Sequence, residues 1–246
     1  MVWTREKGHT SRSHLYALID GKQMVPDDVV DVFVLMLLDT LKKSPNVYKM
    51  TATITRPMAL ALSRQEHSSA GMERMMSHGV EDFPAIELIL MPIVWNKHYH
   101  LLVLDKVKKE YLHYDSIGGH VHDRDAVAMR ALFEEHLQKQ LGISETVAYT
   151  LTHVQGYPKQ RMDSVDCSVY LMRFMEQVLN DEELYLPQSD VPHVRLEHGY
   201  KEDRTPPTDD KNKFYYSFQS SCESPGKDGF PISCYSRAAC TLGSSS

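Results

Sequence analysis

The sequence predicts an α/β (α+β) protein with a small mixed sheet flanked by helices. Short runs rich in β-forming residues lie within residues 86–115 and 146–155. Longer segments with apolar residues at helical spacing surround them, over residues 26–43, 123–140 and 167–179. The chain has 246 residues, of which 42% are hydrophobic and 9% aromatic, a balance typical of a globular protein rather than a disordered chain.

The first predicted helix begins at Pro26-Asp27-Asp28 and ends at Lys42-Lys43. Acidic residues stabilise the first turn of a helix and cations the last turn, and proline is tolerated near the first position. The residues between are mostly Val, Leu, Met and Phe, which is too apolar for a surface helix. We therefore expect this helix to pack in the core.

The segments around this helix are less regular. Residues 1–14 are polar and mildly basic, and they predict a flexible lead-in. Residues 54–62 favour a short helix after Pro57, and residues 63–84 favour a flexible or partly helical connection.

Three strands are predicted next. Residues 86–94 form a nearly continuous apolar run, which is typical of a central buried strand. Residues 98–105 and 110–115 follow as strands, separated by a polar, hairpin-like turn at 106–109.

Two helices and a fourth strand complete the predicted core. The helix at 123–140 has Gly142 just after its end, and residues 146–155 are rich in β-formers. A polar loop at 158–166 then precedes the helix that begins at Cys167.

The C-terminal part of the sequence changes in character. Residues 181–200 are charged and turn-rich, and residues 201–246 contain nine serines, four prolines and three glycines, which predicts a disordered or low-complexity tail. Three of the four cysteines lie in this tail, at spacings that fit neither a zinc motif nor a disulfide framework.

Composition also limits the expected partners and location. The net charge of −6 does not favour a nucleic-acid binder, and no run of 18 apolar residues indicates a membrane span. The N-terminus lacks the apolar run of a signal peptide. We therefore expect an intracellular protein with no nucleic-acid or membrane partner.

Cys167 is the candidate nucleophile. It is the only cysteine in the first 200 residues, and it lies at the predicted N-terminus of an apolar helix. Helix N-termini favour the thiolate, so we expect a lowered thiol pKa, and a thiolate beside a histidine is a nucleophile. A buried structural cysteine is the alternative.

His98 and Asp115 are the candidates for a base and for the group that orients it. His98 begins one predicted strand and Asp115 ends the next, and an antiparallel hairpin about residues 106–109 would place them nearly opposite each other. The alternative is a pair of polar residues at the surface of the sheet.

Four motifs in order carry a resemblance to a known family. They are His-Tyr-His-Leu-Leu-Val-Leu-Asp at 98–105, Tyr-Asp-Ser-Ile at 114–117, Pro-Lys-Gln at 158–160 and Asp-Cys-Ser-Val-Tyr at 166–170. Together they resemble the ubiquitin-like-specific proteases, which are SUMO/sentrin-type cysteine proteases with many plant relatives. The family pattern is His-Trp-x-Leu-x-Val-x-Asp, then Tyr-Asp-Ser, then Gln shortly before Asp-Cys-Gly.

The resemblance implies a papain-like cysteine protease fold over residues 15–200, with the nucleophile at the start of a central helix. It implies that His98 is the general base, that Asp115 orients His98, and that Cys167 attacks the scissile carbonyl to form a thioester. Gln160 would donate to the oxyanion, and Tyr99 would contact the tail of the substrate.

The implied activity is cleavage at the C-terminus of a ubiquitin-like modifier, most often SUMO, in the nucleus or cytoplasm and without a cofactor. The sequence departs from the pattern at three points: Tyr99 replaces Trp, Ser168 replaces Gly, and the interval from Gln160 to Cys167 is one residue longer than usual. Arg161 stands at the commoner interval but follows the Pro-Lys-Gln motif poorly. A relative that binds a ubiquitin-like protein without cutting it is the alternative function.

A metal site is another possible use of the histidines. His98, His100, His113, His120 and His122 cluster in the sequence, and His98 and His100 would point the same way from a strand. No carboxylate or cysteine completes a zinc set by spacing along the chain. We therefore expect no metal ligands, and we expect His100 and His113 to be polar positions at the surface of the sheet.

Overall fold

The structure of the protein is a computed structural model that describes residues 3–5, 8–43, 51–53, 83–95 and 97–204. Its helices in these ranges are α1 (Arg12–Asp20), α2 (Asp27–Lys43), α3 (Asp123–Leu141), α4 (Cys167–Leu179) and α5 (Val191–Arg204). Its strands there are β1 (Trp3–Arg5), β2 (Gly8–Thr10), β3 (Thr51–Thr53), β4 (Leu88–Trp95), β5 (His98–Asp105), β6 (Glu110–Tyr114) and β7 (Thr150–His153). Among these described helices, none has the length and apolar character needed to span a membrane.

Strands β3 to β7 form one sheet in the order of the chain. The pairs β4–β5 and β5–β6 are antiparallel, whereas β3–β4 and β6–β7 are parallel. The sheet is therefore mixed, as the sequence predicts.

Strand β5 is the central strand of this sheet. It pairs with β4 along its full length, from Asp105 opposite Leu88 to His98 opposite Trp95. All eight residues of β5 are buried. Lys97 closes the turn before β5 with a left-handed backbone, at φ 63°.

Alternate residues of β5 face two different core layers. Leu101 and Val103 pack in one apolar cluster with residues of α2 and α4, whereas Leu102 and Leu104 pack in a second cluster with residues of α3. Side chains alternate sides along a strand, so His98 and His100 lie on the same side as Leu102, facing α3.

Helices α2 and α4 confirm two predictions. Helix α2 begins at Asp27, ends at Lys43 and buries the side chains of Val29, Val30 and Phe33. Helix α4 begins at Cys167, and most of its side chains are buried in the same apolar cluster.

The N-terminal segment differs from the predicted lead-in. Residues 3–5 and 8–10 pair as an antiparallel hairpin, and α1 starts two residues later. Ser11 caps α1 by accepting a hydrogen bond from the backbone N–H of His14 (3.2 Å), and Gly21 ends it at φ 70°. This cap pair is a recognisable signal for a short helix.

Two further predictions need correction or lie outside the described residues. The strand predicted over 146–155 divides into a 3₁₀ turn at Glu145–Ala148 and the short strand β7. The turn-rich interpretation of 181–200 missed α5, because its sequence is too polar to show apolar periodicity. The predicted helix at 54–62, most of the connection at 63–84 and tail residues 205–246 lie outside the described residues.

A buried ion pair joins α5 and α1 to the start of α4. Arg195 of α5 is only 2% exposed, and its Nε and Nη2 donate to Oδ1 of Asp166, at 3.0 and 2.5 Å. Its Nη1 donates to the carbonyl oxygen of Leu18 in α1, at 2.8 Å. The residue before Cys167 is thus fixed by two terminal helices.

We expect Arg195→Met to lower the free energy of unfolding by about 3–5 kcal/mol, because it leaves the buried carboxylate of Asp166 without its cation. Urea unfolding followed by circular dichroism measures this loss. Arg124→Met, at an exposed position, is the matched control and should change stability by less than about 0.5 kcal/mol. A loss below about 1 kcal/mol for Arg195→Met would contradict a structural role for the pair.

Candidate active site

The backbone of Asp115 is fixed by two residues of the loop that precedes α4. Its N–H donates to the hydroxyl oxygen of Tyr157 (2.8 Å), and that hydroxyl donates to the carbonyl oxygen of Asp115 (3.0 Å). Nζ of Lys159 donates to the same carbonyl at 2.8 Å. Asp115 follows directly after β6, so these contacts hold the end of that strand against residues 157–160.

The carboxylate of Asp115 is buried and accepts three hydrogen bonds. Oδ1 accepts from Nε2 of His98 (2.7 Å) and from the backbone N–H of Ile117 (2.9 Å), and Oδ2 accepts from Nδ1 of His122 (2.8 Å). Burial acts to raise the pKa of Asp115, but the hydrogen bonds from His98, Ile117 and His122 outweigh it and hold the pKa well below its ordinary value. Asp115 is therefore an ionised acceptor at neutral pH.

His98 and Asp115 meet at the open end of the β5–β6 hairpin. The ladder between these strands ends where Leu101 faces Tyr114, and the chain then turns so that the side chain of Asp115 reaches back to His98. Because Nε2 of His98 donates to Asp115, Nδ1 is the ring nitrogen left to accept a proton.

His122 is a second histidine on the same carboxylate, and the sequence predicts no such role for it. It lies directly before α3, and its ring stacks on that of His98 with centroids 4.1 Å apart and planes 20° apart. The ring of His98 is thus fixed by a hydrogen bond at one edge and by stacking on one face.

Cys167 is the first residue of α4, as predicted, but the residue is only 4% exposed and lies in the apolar cluster of α2 and α4. Sγ donates to the carbonyl oxygen of Lys97, at 3.8 Å. Lys97 directly precedes His98 in the chain, so the thiol lies beside the start of β5.

The predicted lowering of the thiol pKa is wrong for this state of the protein. Burial raises the pKa of Cys167, and hydrogen bonds from the backbone N–H groups of Tyr99, Ser168 and Cys167 itself oppose this only in part. The helix N-terminus is present, but desolvation of the thiolate is the larger effect.

The residues on either side of Cys167 are structural. Asp166 does not cap α4 with its side chain; it binds Arg195, as described, and accepts from Nε2 of Gln188 at 2.7 Å. Ser168 fits within the first turn of α4, where it is buried and its hydroxyl finds no hydrogen-bond partner among the described residues.

Gln160 is held with one end of its amide directed at Ser116. The hydroxyl of Ser116 donates to Oε1 of Gln160 (2.8 Å), and the backbone N–H of Gln160 donates to the carbonyl oxygen of Ser116 (2.9 Å). In this orientation Nε2 is the amide atom that can donate a hydrogen bond to a ligand. Arg161, the alternative by spacing, is exposed and pairs with Asp163 at 2.7 Å.

Tyr99 is buried, at 2% exposure, in the apolar cluster of α2 and α4. Its hydroxyl donates to Oδ1 of Asp27. A contact between Tyr99 and a substrate tail therefore stays a prediction from the motif.

Two histidines on the α3 side of the sheet are buried and do not lie at its surface. His100 and His113 are buried, contrary to the prediction, and Nδ1 of His100 lies 2.8 Å from Nε2 of His113. Burial lowers the pKa of His113 to about 4 and lowers that of His100 well below its ordinary value, so both rings are neutral at pH 7.

No carboxylate completes a metal-binding set by spacing along the chain, but the fold brings carboxylates close to these histidines. Among the residues that the structure describes, two sets of three side chains have donor atoms within 4.8 Å of one another: His98, Asp115 and His122, and separately His113, Asp123 and His153. Spacing along the strands could not show this, because each carboxylate comes from a neighbouring loop or helix.

Comparison with known proteins identifies the family. The model of the Ulp1 protease family, C-terminal catalytic domain, matches residues 27–206. The chain belongs to the Ulp1 protease family. It is therefore a cysteine protease, and the ubiquitin-like-protease type of fold predicted from the motifs is confirmed.

Solved structures of the Ulp1 protease family share the fold at low sequence identity. The yeast Ulp1 domain in complex with Smt3, the yeast ortholog of SUMO, superposes with a TM-score of 0.68 at 17% identity, covering 82% of this chain and 86% of that one. The catalytic domain of a Chaetomium thermophilum Ulp1-like SUMO protease gives a TM-score of 0.60 at 17% identity, covering 79% and 78%. A protein described as a de-sumoylating protease gives 0.59 at 12% identity, covering 87% and 90%.

We expect Cys167 of this Ulp1-family protease to be alkylated slowly at neutral pH. Because burial raises its pKa, the thiolate fraction should increase only above the value of about 8.5 that is usual for a free cysteine. The iodoacetamide rate, measured against pH by mass spectrometry of the Cys167 peptide, should have its inflection above that of a cysteine in an unstructured peptide with blocked ends. An inflection at or below pH 7 would contradict the effect of burial.

Proposed function

We propose that the chain is a thiol peptidase that hydrolyses the peptide or isopeptide bond at the C-terminus of a ubiquitin-like modifier, with SUMO as that modifier. The observation that carries this proposal is the buried His98–Asp115 pair at the start of β5, where Cys167 also lies. Membership of the Ulp1 family supports the reaction class, and the complex of the related yeast domain with Smt3 supports the choice of modifier. A SUMO substrate implies action in the nucleus or cytoplasm.

The first step in this mechanism is transfer of the thiol proton from Sγ of Cys167 to Nδ1 of His98. Nε2 of His98 already donates to Asp115, so the imidazolium that forms is stabilised by the ionised carboxylate. In the structure this proton is on Sγ and is directed at the carbonyl oxygen of Lys97, which accepts the hydrogen bond. It must leave that acceptor before it can reach His98.

The thiolate then attacks the carbonyl carbon of the modifier's last residue. The oxyanion that forms is stabilised by Nε2 of Gln160, which Ser116 orients through Oε1, and by backbone N–H groups at the start of α4. The tetrahedral intermediate expels the amine, which takes its proton from His98, and leaves a thioester on Cys167.

Hydrolysis of the thioester completes the cycle. His98 takes a proton from water, the resulting hydroxide attacks the thioester carbonyl, and the Cys167 thiolate leaves and regains a proton. Only side chains, backbone N–H groups and water take part, so the scheme requires no cofactor.

A second candidate function rests on the state of the thiol. Cys167 is buried, its pKa is raised, and its proton is held by a backbone carbonyl. These features favour a relative that binds a ubiquitin-like protein without cutting it.

Covalent trapping separates the two functions. We expect SUMO with a C-terminal electrophile to form one adduct with the 246-residue chain, and ubiquitin with the same electrophile to form none. The adduct should be absent in Cys167→Ala and unchanged in Cys222→Ala, which removes a tail cysteine instead. Gel shift and mass spectrometry of the adduct are the readouts.

Other outcomes identify which part of the proposal fails. A Cys167-dependent adduct with ubiquitin alone would keep the peptidase and overturn SUMO as the modifier. No adduct with any modifier, together with binding of unmodified SUMO in a pull-down, would overturn the peptidase in favour of the binding function.

A further inference from the structure

We propose that His113, Asp123 and His153 form a binding site for a divalent transition metal ion, with zinc as that ion. The site lies on the side of the sheet that faces α3, and none of its residues takes part in the proposed peptidase mechanism. Zinc is favoured because imidazole nitrogens and a carboxylate oxygen are donors that it accepts in tetrahedral sites.

The fold brings these three residues together from three different elements. His113 of β6 is the direct ladder partner of His153 of β7 in the parallel pair, so both rings leave the sheet side by side. Asp123 is the first residue of α3, which packs on this face. The cluster therefore ties an edge of the sheet to the start of its covering helix.

The three donor atoms are arranged as zinc ligands would be. Nδ1 of His153 lies 2.9 Å from Nδ1 of His113 and 2.9 Å from Oδ1 of Asp123, and the third side of the triangle is 3.7 Å. Ligand atoms of a tetrahedral zinc ion with bonds of about 2.0–2.1 Å are about 3.3 Å apart. An ion can thus contact all three atoms after movements of about half an ångström.

Hydrogen bonding alone does not satisfy this cluster. A ring nitrogen carries either one proton or one lone pair, yet Nδ1 of His153 faces two heavy atoms at the same short distance. One proton on this atom would be shared between His113 and Asp123. A cation among the three atoms would instead accept a lone pair from each.

Supporting contacts resemble those found around bound metals. Nε2 of His113, the nitrogen not used for the ion, lies 2.8 Å from Nδ1 of His100. The second oxygen of Asp123 lies 2.6 Å from Nδ1 of His120. Such outer contacts fix the tautomer and orientation of metal ligands.

Exposure also fits an ion that retains water. The side chain of His113 is 1% exposed, whereas those of Asp123 and His153 are 24% and 25% exposed. The site is thus closed on the side of the sheet and open to solvent on the other, which leaves a fourth position for water.

The cluster of His98, Asp115 and His122 is a poorer candidate. There the two rings donate to different oxygens of Asp115, at 2.7 and 2.8 Å, and stack on each other. Nε2 of His98 and Nδ1 of His122 each have one acceptor on Asp115, so these two hydrogen bonds are complete without an ion.

Zinc titration of the metal-free, 246-residue chain tests the proposal. We expect the melting temperature to rise by about 5–10 °C at zinc concentrations about a hundredfold above the dissociation constant. Equilibrium dialysis should show one zinc ion bound at this site. His153→Ala and Asp123→Asn, each at a partly exposed position, should each abolish the rise and remove that zinc. His193→Ala, at an exposed position of α5, is the matched control and should behave as the unmodified chain.

Cobalt(II) reports which donors hold the ion. We expect visible absorption of tetrahedral cobalt without a thiolate charge-transfer band, in the chain and equally in a variant whose three tail cysteines are serine. Zinc binding that survives both His153→Ala and Asp123→Asn, that disappears with the tail cysteines, or that requires His122 instead would overturn the proposal. Absence of any zinc-dependent rise would also overturn it. If one site variant fails to fold by circular dichroism, the other decides.

Discussion

The rest of the site depends on the hydrogen bonds that the ionised carboxylate of Asp115 accepts. A buried charge is unfavourable unless it is fully hydrogen-bonded, and here His98, Ile117 and His122 all donate to it. Its backbone is held in addition by Tyr157 and Lys159. The end of β6, the start of β5, the loop before α3 and the loop before α4 must therefore all be in place for the side chain and backbone of Asp115 to be satisfied. Gln160 lies in that last loop and is anchored on Ser116, so the same network positions the proposed oxyanion donor.

The proposed nucleophile, Cys167, follows a second buried carboxylate that fixes the start of its helix. Asp166 pairs with Arg195, which anchors the start of α4 to two terminal helices. The thiol of Cys167 then lies in apolar surroundings, where burial outweighs the helix N-terminus and raises its pKa. The two carboxylates have different effects: Asp166 fixes the residue before Cys167, and Asp115 fixes the ring that accepts the thiol proton in the proposed mechanism. In that mechanism the buried thiol depends on His98 for its activation.

Sequence patterns predict the part of this site that is local in the chain. The hairpin of β5 and β6 follows from residue alternation and a short turn, so the contact between His98 and Asp115 could be expected from its register. The contacts of His122, of Arg195 and of Asp123 with His153 could not, because they join polar residues of separate elements whose packing no periodicity reveals. The direction of the thiol pKa was missed for a related reason: position in a helix can be predicted from sequence, whereas the extent of burial depends on every element that packs around it.

The most direct test of this account is a comparison of two rates. Cys167 of the Asp115→Asn variant and Cys167 of the chain without this substitution are each allowed to react with SUMO that carries the C-terminal electrophile. The amide of Asn can donate as well as accept, so it no longer requires His98 to carry its proton on Nε2. The substitution also removes the negative charge that stabilises the imidazolium. With folding verified by circular dichroism, we expect the rate to fall by about 10³–10⁴-fold while binding of unmodified modifier changes little. A folded Asp115→Asn variant that keeps more than about a tenth of the rate would contradict the central role of this carboxylate.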